Sequence, residues 1–166
     1  MRLGITFNHV LTETPGPTTA SLAMTAADRG HEVWAMGAAD FEYSADDKIR
    51  AHARRAPAGS YKTPQDYHKA LCGPRAQTEK ITVDDLDLVL LRGDPSAEIN
   101  RRPWAQTVAM DFARMAIRQG VIVLNDPGGL IKARDKSYFQ LFPEQVRPRT
   151  LISRDRDAIK RFVRDE

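Results

Sequence analysis

The 166-residue chain carries 25 Lys and Arg against 22 Asp and Glu, a formal charge of +3, and 42% of its residues are hydrophobic. That length and apolar content suit one domain, or one domain and part of a second, with a buried core. The charges alternate in sign along the chain and no stretch reaches the roughly 18 apolar residues of a membrane span, so neither nucleic acid nor a membrane is an expected partner. One cysteine, Cys72, excludes an internal disulfide framework and fits a reducing compartment. The apolar run from Leu3 to Phe7 is too short for a signal peptide, and a cytoplasmic location is the expectation.

Leu3 to Phe7 reads as a short buried strand, followed by a Thr/Pro/Gly loop from Thr12 to Thr18 and an Ala-rich helix from Thr19 to Arg29 that Gly30 stops. His31 to Met36 is the next strand. Strand, helix, Gly and strand in this order form a βαβ unit, which implies a parallel sheet. Phe41 to Tyr43 and Ile49 to Arg54 alternate in polarity around the polar turn Ser44 to Lys48, the pattern of a hairpin. Thr63 is an N-cap with Pro64 in the first turn of a helix that runs to Leu71; Cys72-Gly73-Pro74 ends it, and Arg75 to Lys80 reads as a polar connection.

Leu86 to Leu91 is the most hydrophobic strand and suits the centre of a helix-covered sheet. A long helix from Arg101 to Gln119 follows, with Pro103 in its first turn and Trp104, Val108, Phe112, Met115 and Ala116 at helical spacing. Gly120 stops it before the apolar strand Val121 to Leu124, completing a second βαβ unit. Beyond Asn125-Asp126-Pro127-Gly128-Gly129 come a helix from Leu130 to Phe142, a strand from Thr150 to Ser153 and an amphipathic helix from Asp155 to Glu166. Helix, strand and helix over the last 40 or so residues do not close a core, so they read as the opening of a further module. The fold class is α/β: a Rossmann-like, open, mostly parallel sheet with helices on both faces, plus those opening elements.

Ligands of open parallel sheets bind beyond the carboxyl ends of the strands. Three such ends stand out: Asn8-His9, Arg92-Gly93-Asp94-Pro95 and Asn125 to Gly129. Neither a G-x-G-x-x-G turn nor a P-loop is present, and no His/Cys/Asp/Glu spacing resembles a metal site. His9 reads as a surface residue, Asp46-Asp47 as turn chemistry, Arg54-Arg55 and Arg101-Arg102 as solvated pairs, and Cys72 as an incidental thiol without a nearby histidine. Arg92-Gly93-Asp94 spells an adhesion tripeptide, which needs an exposed loop on a secreted protein. Two other readings of it stay open. Arg92 and Asp94 form an internal ion pair that pins the loop, with Gly93 allowing the turn and Pro95 fixing the exit; or Arg92, oriented by Asp94, is a planar donor for a substrate carboxylate or phosphate.

The order of "RGHEVWAM", "IRAHARR", "LDLVLLRGDPSAE" and "GVIVLNDPGGLIKARDKSYFQLFPEQVRPRTLISRD" resembles the N-terminal part of the ATP-grasp ligases, most closely the bacterial glutathione synthetases. The resemblance implies a pre-ATP-grasp domain over residues 1–126 and an incomplete ATP-grasp module over 127–166. It implies an ATP- and Mg²⁺-dependent carboxylate–amine ligase that forms an acyl phosphate and then an amide, with Lys136 of "KARDKSYF" contacting ATP, and Arg92, Asp94 and Asn8 on the substrate side. Pro148-Arg149-Thr150 resembles the family's entry into the ATP-grasp sheet. No metal ligand is expected in this stretch, and the chain alone is expected to be inactive. Gly93 stands where the family usually has lysine, Ser96 where it has proline, and "LNDP" where it has asparagine-lysine-proline. These departures leave open another amino-acid or peptide substrate, and a non-catalytic module that binds a small anion or a partner chain is a further alternative. A homodimer or homotetramer is the expected assembly.

Overall fold

The computed structural model describes residues 1–12 and 17–165, so most of the expected loop between Thr12 and Thr18 lies outside the described residues, as does Glu166. The chain forms two compact units, Met1–Leu130 and Ile131–Glu166.

The first unit is built on β1 (Arg2–Phe7), whose Leu3 to Phe7 are all buried. Helix α1 (Pro17–Asp28) leads to β2 (Glu32–Gly37), and Gly30 between them has φ +81°, a conformation that favours glycine at a helix exit. β2 lies parallel to β1 with Leu3 opposite Val33 and Ile5 opposite Ala35. Gly4 is required by packing: a Cβ there would lie 2.6 Å from Met36 Cε and 2.8 Å from Leu86 Cδ1.

β3 (Phe41–Tyr43) and β4 (Ile49–Arg55) form the hairpin, closed by Ser44 N–H donating to Lys48 O at 2.9 Å. Thr63 Oγ1 accepts from Asp66 N–H and starts α2 (Pro64–Cys72), which packs against α1. The polar run after α2 is not a connection but β5 (Gln77–Thr82), antiparallel to β4 over six residue pairs. Its ladder along the outer edge of β4 satisfies the backbone, and the exposed position accepts Gln, Glu and Lys; tertiary pairing overrides the polar composition.

β6 (Leu88–Leu90) pairs parallel with β1, and β7 (Ile122–Leu124) pairs parallel with β6. Among the described residues the sheet has seven strands: β2, β1, β6 and β7 run parallel, β4 pairs antiparallel with β2, and β3 and β5 each pair antiparallel with β4. One face, carrying Leu3, Ile5, Phe7, Val33 and Ala35, is covered by Ala23 of α1 and by Tyr67 and Leu71 of α2. The fold class is α/β, with parallel strands at its centre.

α3 (Ala105–Arg118) buries Ala105, Met110, Ala113 and Ala116 and stacks Phe112 on Phe41 with ring centroids 5.2 Å apart. It starts four residues later than the spacing suggests, and the inward stripe is rotated: Trp104 stands at the N-cap with 57% of its surface exposed. Small alanines, not the larger side chains, allow the close approach.

α4 (Pro127–Ala133) is shorter than the expected Leu130 to Phe142 helix. Asp135 accepts from Ser137 N–H at 2.9 Å and opens a separate 3-10 turn, Lys136–Leu141, so a local side-chain bond replaces continued helix. Thr150 to Ser153 pairs with no strand among the described residues, correcting the expected strand; an extended segment without a ladder partner is not a strand. α5 (Arg156–Arg164) is capped by Asp155, whose carboxylate accepts from Asp157 and Ala158 N–H.

Candidate functional site at the carboxyl ends of the parallel strands

Because β1, β2, β6 and β7 run parallel, the loops after Phe7, Gly37, Leu90 and Leu124 emerge on one rim. Asn8 and Asp94 join two of these loops by a reciprocal pair: Asn8 Nδ2 donates to Asp94 O at 2.6 Å, and Asp94 N–H donates to Asn8 Oδ1 at 2.5 Å. An asparagine carries both a donor and an acceptor on one amide, so it can meet both main-chain groups of a neighbouring residue. Gly93 fits beside it closely, since a Cβ there would stand 3.0 Å from Asn8 Oδ1. Thr6 Oγ1 takes the Arg92 N–H at 2.9 Å, tying the same loop to β1 one step deeper.

The Asp94 carboxylate does not pair with Arg92. It accepts from Ser96 N–H and Ser96 Oγ at 2.7–2.8 Å, capping the 3-10 turn Pro95–Glu98. Of the two readings of the tripeptide, the mutual ion pair is therefore not formed. Arg92 takes part in no ion pair among the described residues, and its Nε is buried with no hydrogen-bond partner. A guanidinium nitrogen out of water and unbonded is an unmet donor, at a cost that a carboxylate or phosphate would relieve.

Three residues of the rim, Glu98, Arg102 and Thr6, were not read from the sequence as site residues. Glu98, 5% exposed, holds Arg102 through two bonds, Arg102 Nε to Oε2 at 2.9 Å and Nη2 to Oε1 at 2.7 Å, and Arg102 Nη2 also donates to Asn8 O at 2.8 Å. Arg102 is thus a rim brace rather than half of a solvated doublet. The Arg102 guanidinium holds the Glu98 carboxyl below the ordinary glutamate value, against the opposing effect of burial. The Glu–Arg spacing of four residues was the available signal; nothing in sequence marks Thr6.

Between the rim and α3 lies an apolar recess of about 30 Å³, walled by Phe7, Ala38, Leu91, Ala105, Ala109 and Met110. Arg92 does not line it. A second cavity of about 170 Å³ on the other side of Asn8 includes His9, His52, Arg54 and Arg102, but Arg54 is held by Leu71 O, Gly73 O and Thr78 Oγ1. At the β7 end, Asn125 Nδ2 donates to Leu91 O at 3.4 Å, and Asp126 accepts from Gly129 N–H in the first turn of α4. Lys136 belongs to the second unit; it is exposed, and its ammonium is in no ion pair among the described residues. Cys72 does have a histidine near it, His68 Nε2 at 3.6 Å, but burial raises its thiol pKa and Sγ donates to Val10 O. It is a protonated packing group, not a nucleophile.

The family model described as "Prokaryotic glutathione synthetase, N-terminal domain" matches residues 1–130. The chain belongs to this family. It is 31% identical to the glutathione synthetase of Pseudomonas syringae pv. tomato over 149 residues, covering 89% of this chain and 42% of that protein. With the glutathione synthetase of Xanthomonas campestris pv. campestris it shares 30% identity over 146 residues, 88% of this chain and 42% of that protein. With that of Brucella melitensis it shares 24% over 166 residues, 99% of this chain and 48% of that protein. The chain thus spans less than half the length of these relatives. The match to the glutathione synthetase N-terminal domain takes in Asn8, Arg92, Asp94, Glu98, Arg102 and Asn125, the whole rim, and ends before Lys136. Among the described residues no helix is long and apolar enough to cross a membrane, and no group of three His, Cys, Asp or Glu could hold a metal ion.

Proposed function

We propose that this chain is the substrate-side part, with the opening elements of the ATP-binding module, of an ATP- and Mg²⁺-dependent carboxylate–amine ligase of the glutathione synthetase type. The observation that carries the reading is the buried, unbonded Nε of Arg92 on a strand-end rim that lies wholly within the family match. In this class of reaction a substrate carboxylate oxygen attacks the γ-phosphorus of ATP, ADP leaves, and an acyl phosphate forms; an amine then attacks the acyl carbon and expels phosphate, leaving an amide. Arg92 is assigned to a carboxylate of the acid substrate, which a planar guanidinium takes in two parallel bonds. Asn8 and the Asp94 main chain fix the loop that presents Arg92, and Asp94 keeps its carboxylate on Ser96. Positioning of this kind is the larger part of what a protein contributes to such a transfer.

Lys136 is assigned to an ATP phosphate. Its exposed, unpaired ammonium fits a phosphate oxygen as a point charge. No residue of this stretch is assigned to Mg²⁺. The chain by itself is proposed not to turn over, and the intact protein is proposed to be a homodimer or homotetramer. Gly93, Ser96 and the Asn125-Asp126-Pro127 sequence depart from the family pattern on the rim itself, which favours as a second reading a related ligase with another amino-acid or peptide pair.

ATP-dependent phosphate release by the full-length protein, measured with γ-glutamylcysteine plus glycine, tests the assignment. Release that requires both partners supports it. Release only with another acid and amine favours the second reading, and no release with any such pair leaves the binding-module alternative.

A further inference from the structure

We infer that the cavity at the amino end of β2 is a binding site for a small carboxylate with a flat apolar body, about the size of benzoate. The cavity lies wholly within the first unit, at the end of the parallel strands opposite the rim, roughly 20 Å away along the six residues of β2. It therefore stands apart from the ligase reading. Its volume is about 170 Å³, room enough for a benzene ring, which occupies a cavity of about 150 Å³. The apolar walls are Ala27, Val33, Ala56 and the rings of Tyr61 and Tyr67, which meet edge to face with centroids 5.2 Å apart. Tyr61 Oη donates to Pro57 O at 2.5 Å and closes the loop 57–61 along one side.

The polar side chains of this cavity have no hydrogen-bond partners, and none of them is an acid. Tyr67 is only 2% exposed, yet its hydroxyl makes no hydrogen bond with any described residue, an unmet donor that an acceptor in the cavity would relieve. Burial pushes the pKa of that hydroxyl up, so it remains a neutral donor. Arg55 makes no hydrogen bond with a described residue either. Its guanidinium stands 3.8 Å from Glu32 Oε2, an acid already held by Trp34 Nε1 at 2.6 Å and Arg2 Nε at 3.2 Å. The ring of His31 also lines the cavity and bonds to no described residue. Asp28 and Glu32, the acids of the adjoining elements, do not line it. A carboxylate would accept from the Tyr67 hydroxyl and the Arg55 guanidinium together while its apolar body lay against Tyr61 and Val33; a cation of the same shape would gain no counter-ion.

Isothermal titration of the full-length protein with sodium benzoate tests the site. Saturable binding is expected with a Kd at or below about 1 mM, within reach of so small a ligand. Benzamidine, the same shape with the opposite charge, is expected to bind at least about tenfold more weakly. Tyr67→Phe keeps the ring and removes only the unbonded hydroxyl, so it is expected to leave the melting temperature unchanged and to raise the benzoate Kd about tenfold or more. Should Tyr67→Phe fail to fold, Arg55→Gln, at a half-exposed position, carries the same test. Arg92→Ala, which removes the unbonded guanidinium of the rim, is expected to leave benzoate binding as it was. No saturable binding, equal binding of benzamidine, or an unchanged Kd in the Tyr67 and Arg55 variants overturns the site. Loss of binding in Arg92→Ala places the benzoate on the rim and overturns it as well.

Discussion

The two units differ in how they hold themselves together. Residues Met1–Leu130 bury Ile5, Met36, Ile49, Ala51 and Ala53 completely, while no described residue after Leu130 is buried. Leu141, Val146, Ile152 and Val163 each leave more than 60% of their surface in water. A sheet covered by helices removes enough apolar surface to offset chain entropy, whereas a helix and two 3-10 turns held by caps and local aromatic contacts do not. Cohesion belongs to the first unit, and so does the strand-end rim. The second displays an amphipathic α5 whose apolar side chains, Ile159 and Val163, meet water.

The sharpest way to break that comparison is to cut into each unit in turn. Ile5→Ala is expected to cost about 2–5 kcal/mol in a urea titration followed by Trp34 fluorescence, since a fully buried side chain leaves a cavity. Leu141→Ala, at a position 77% exposed, is expected to change the same transition by less than about 0.5 kcal/mol. Equal effects would refute the division.

Next in size is Glu98→Gln, which keeps the shape and removes the charge facing Arg102. Arg102 is partly exposed, so the expected cost at neutral pH is about 1–3 kcal/mol. The sign with pH follows from the lowered carboxyl pKa. The pair's contribution is fully present above the ordinary glutamate value near about 4.3 and is lost as pH falls through the lower folded value. Thermal midpoints below about pH 4.3 should therefore converge for wild type and variant, and a gap that widens on acidification would contradict the ion pair.

Smaller still is Thr63→Ala, which removes the acceptor for Asp66 N–H at the start of α2 and should cost about 1 kcal/mol in the same titration. Asp155→Ala, the matching cap of α5, should leave the urea midpoint in place and lower only helical circular dichroism. Hydrogen exchange sharpens the contrast without mutation: β1 amides are expected to be protected to near the global stability, α5 amides far less.

Much of the fold was legible because local chemistry and global packing agreed. Thr63 and Pro64 announced α2, Gly30 the exit of α1, and the apolar runs of β1 and β2 their burial. β5 was hidden because an edge strand needs a partner more than a pattern, and Gln77 to Lys80 look like a loop until β4 is beside them. Of the expected stripe of α3, Ala116 is buried and Phe112 packs on Phe41, but Trp104 was misjudged: it stands exposed at the N-cap while Ala105 and Ala113 are buried. On the rim, strand ends are readable from hydrophobic runs, and Asn8 and Asp94 indeed meet there. The bonds that Asp94 makes with Ser96, and the Glu98–Arg102 brace, depend on a turn geometry that residue order alone does not determine.

The proposal that the strand-end rim is the acid-substrate side of a ligase rests on Arg92 as its unmet donor. Steady-state kinetics of Arg92→Ala in the full-length protein, with the acid and ATP varied separately, test it most directly. The account predicts a KM for the acid raised about tenfold or more with the ATP KM unchanged; an unchanged acid KM accompanied only by a lower melting temperature would contradict it.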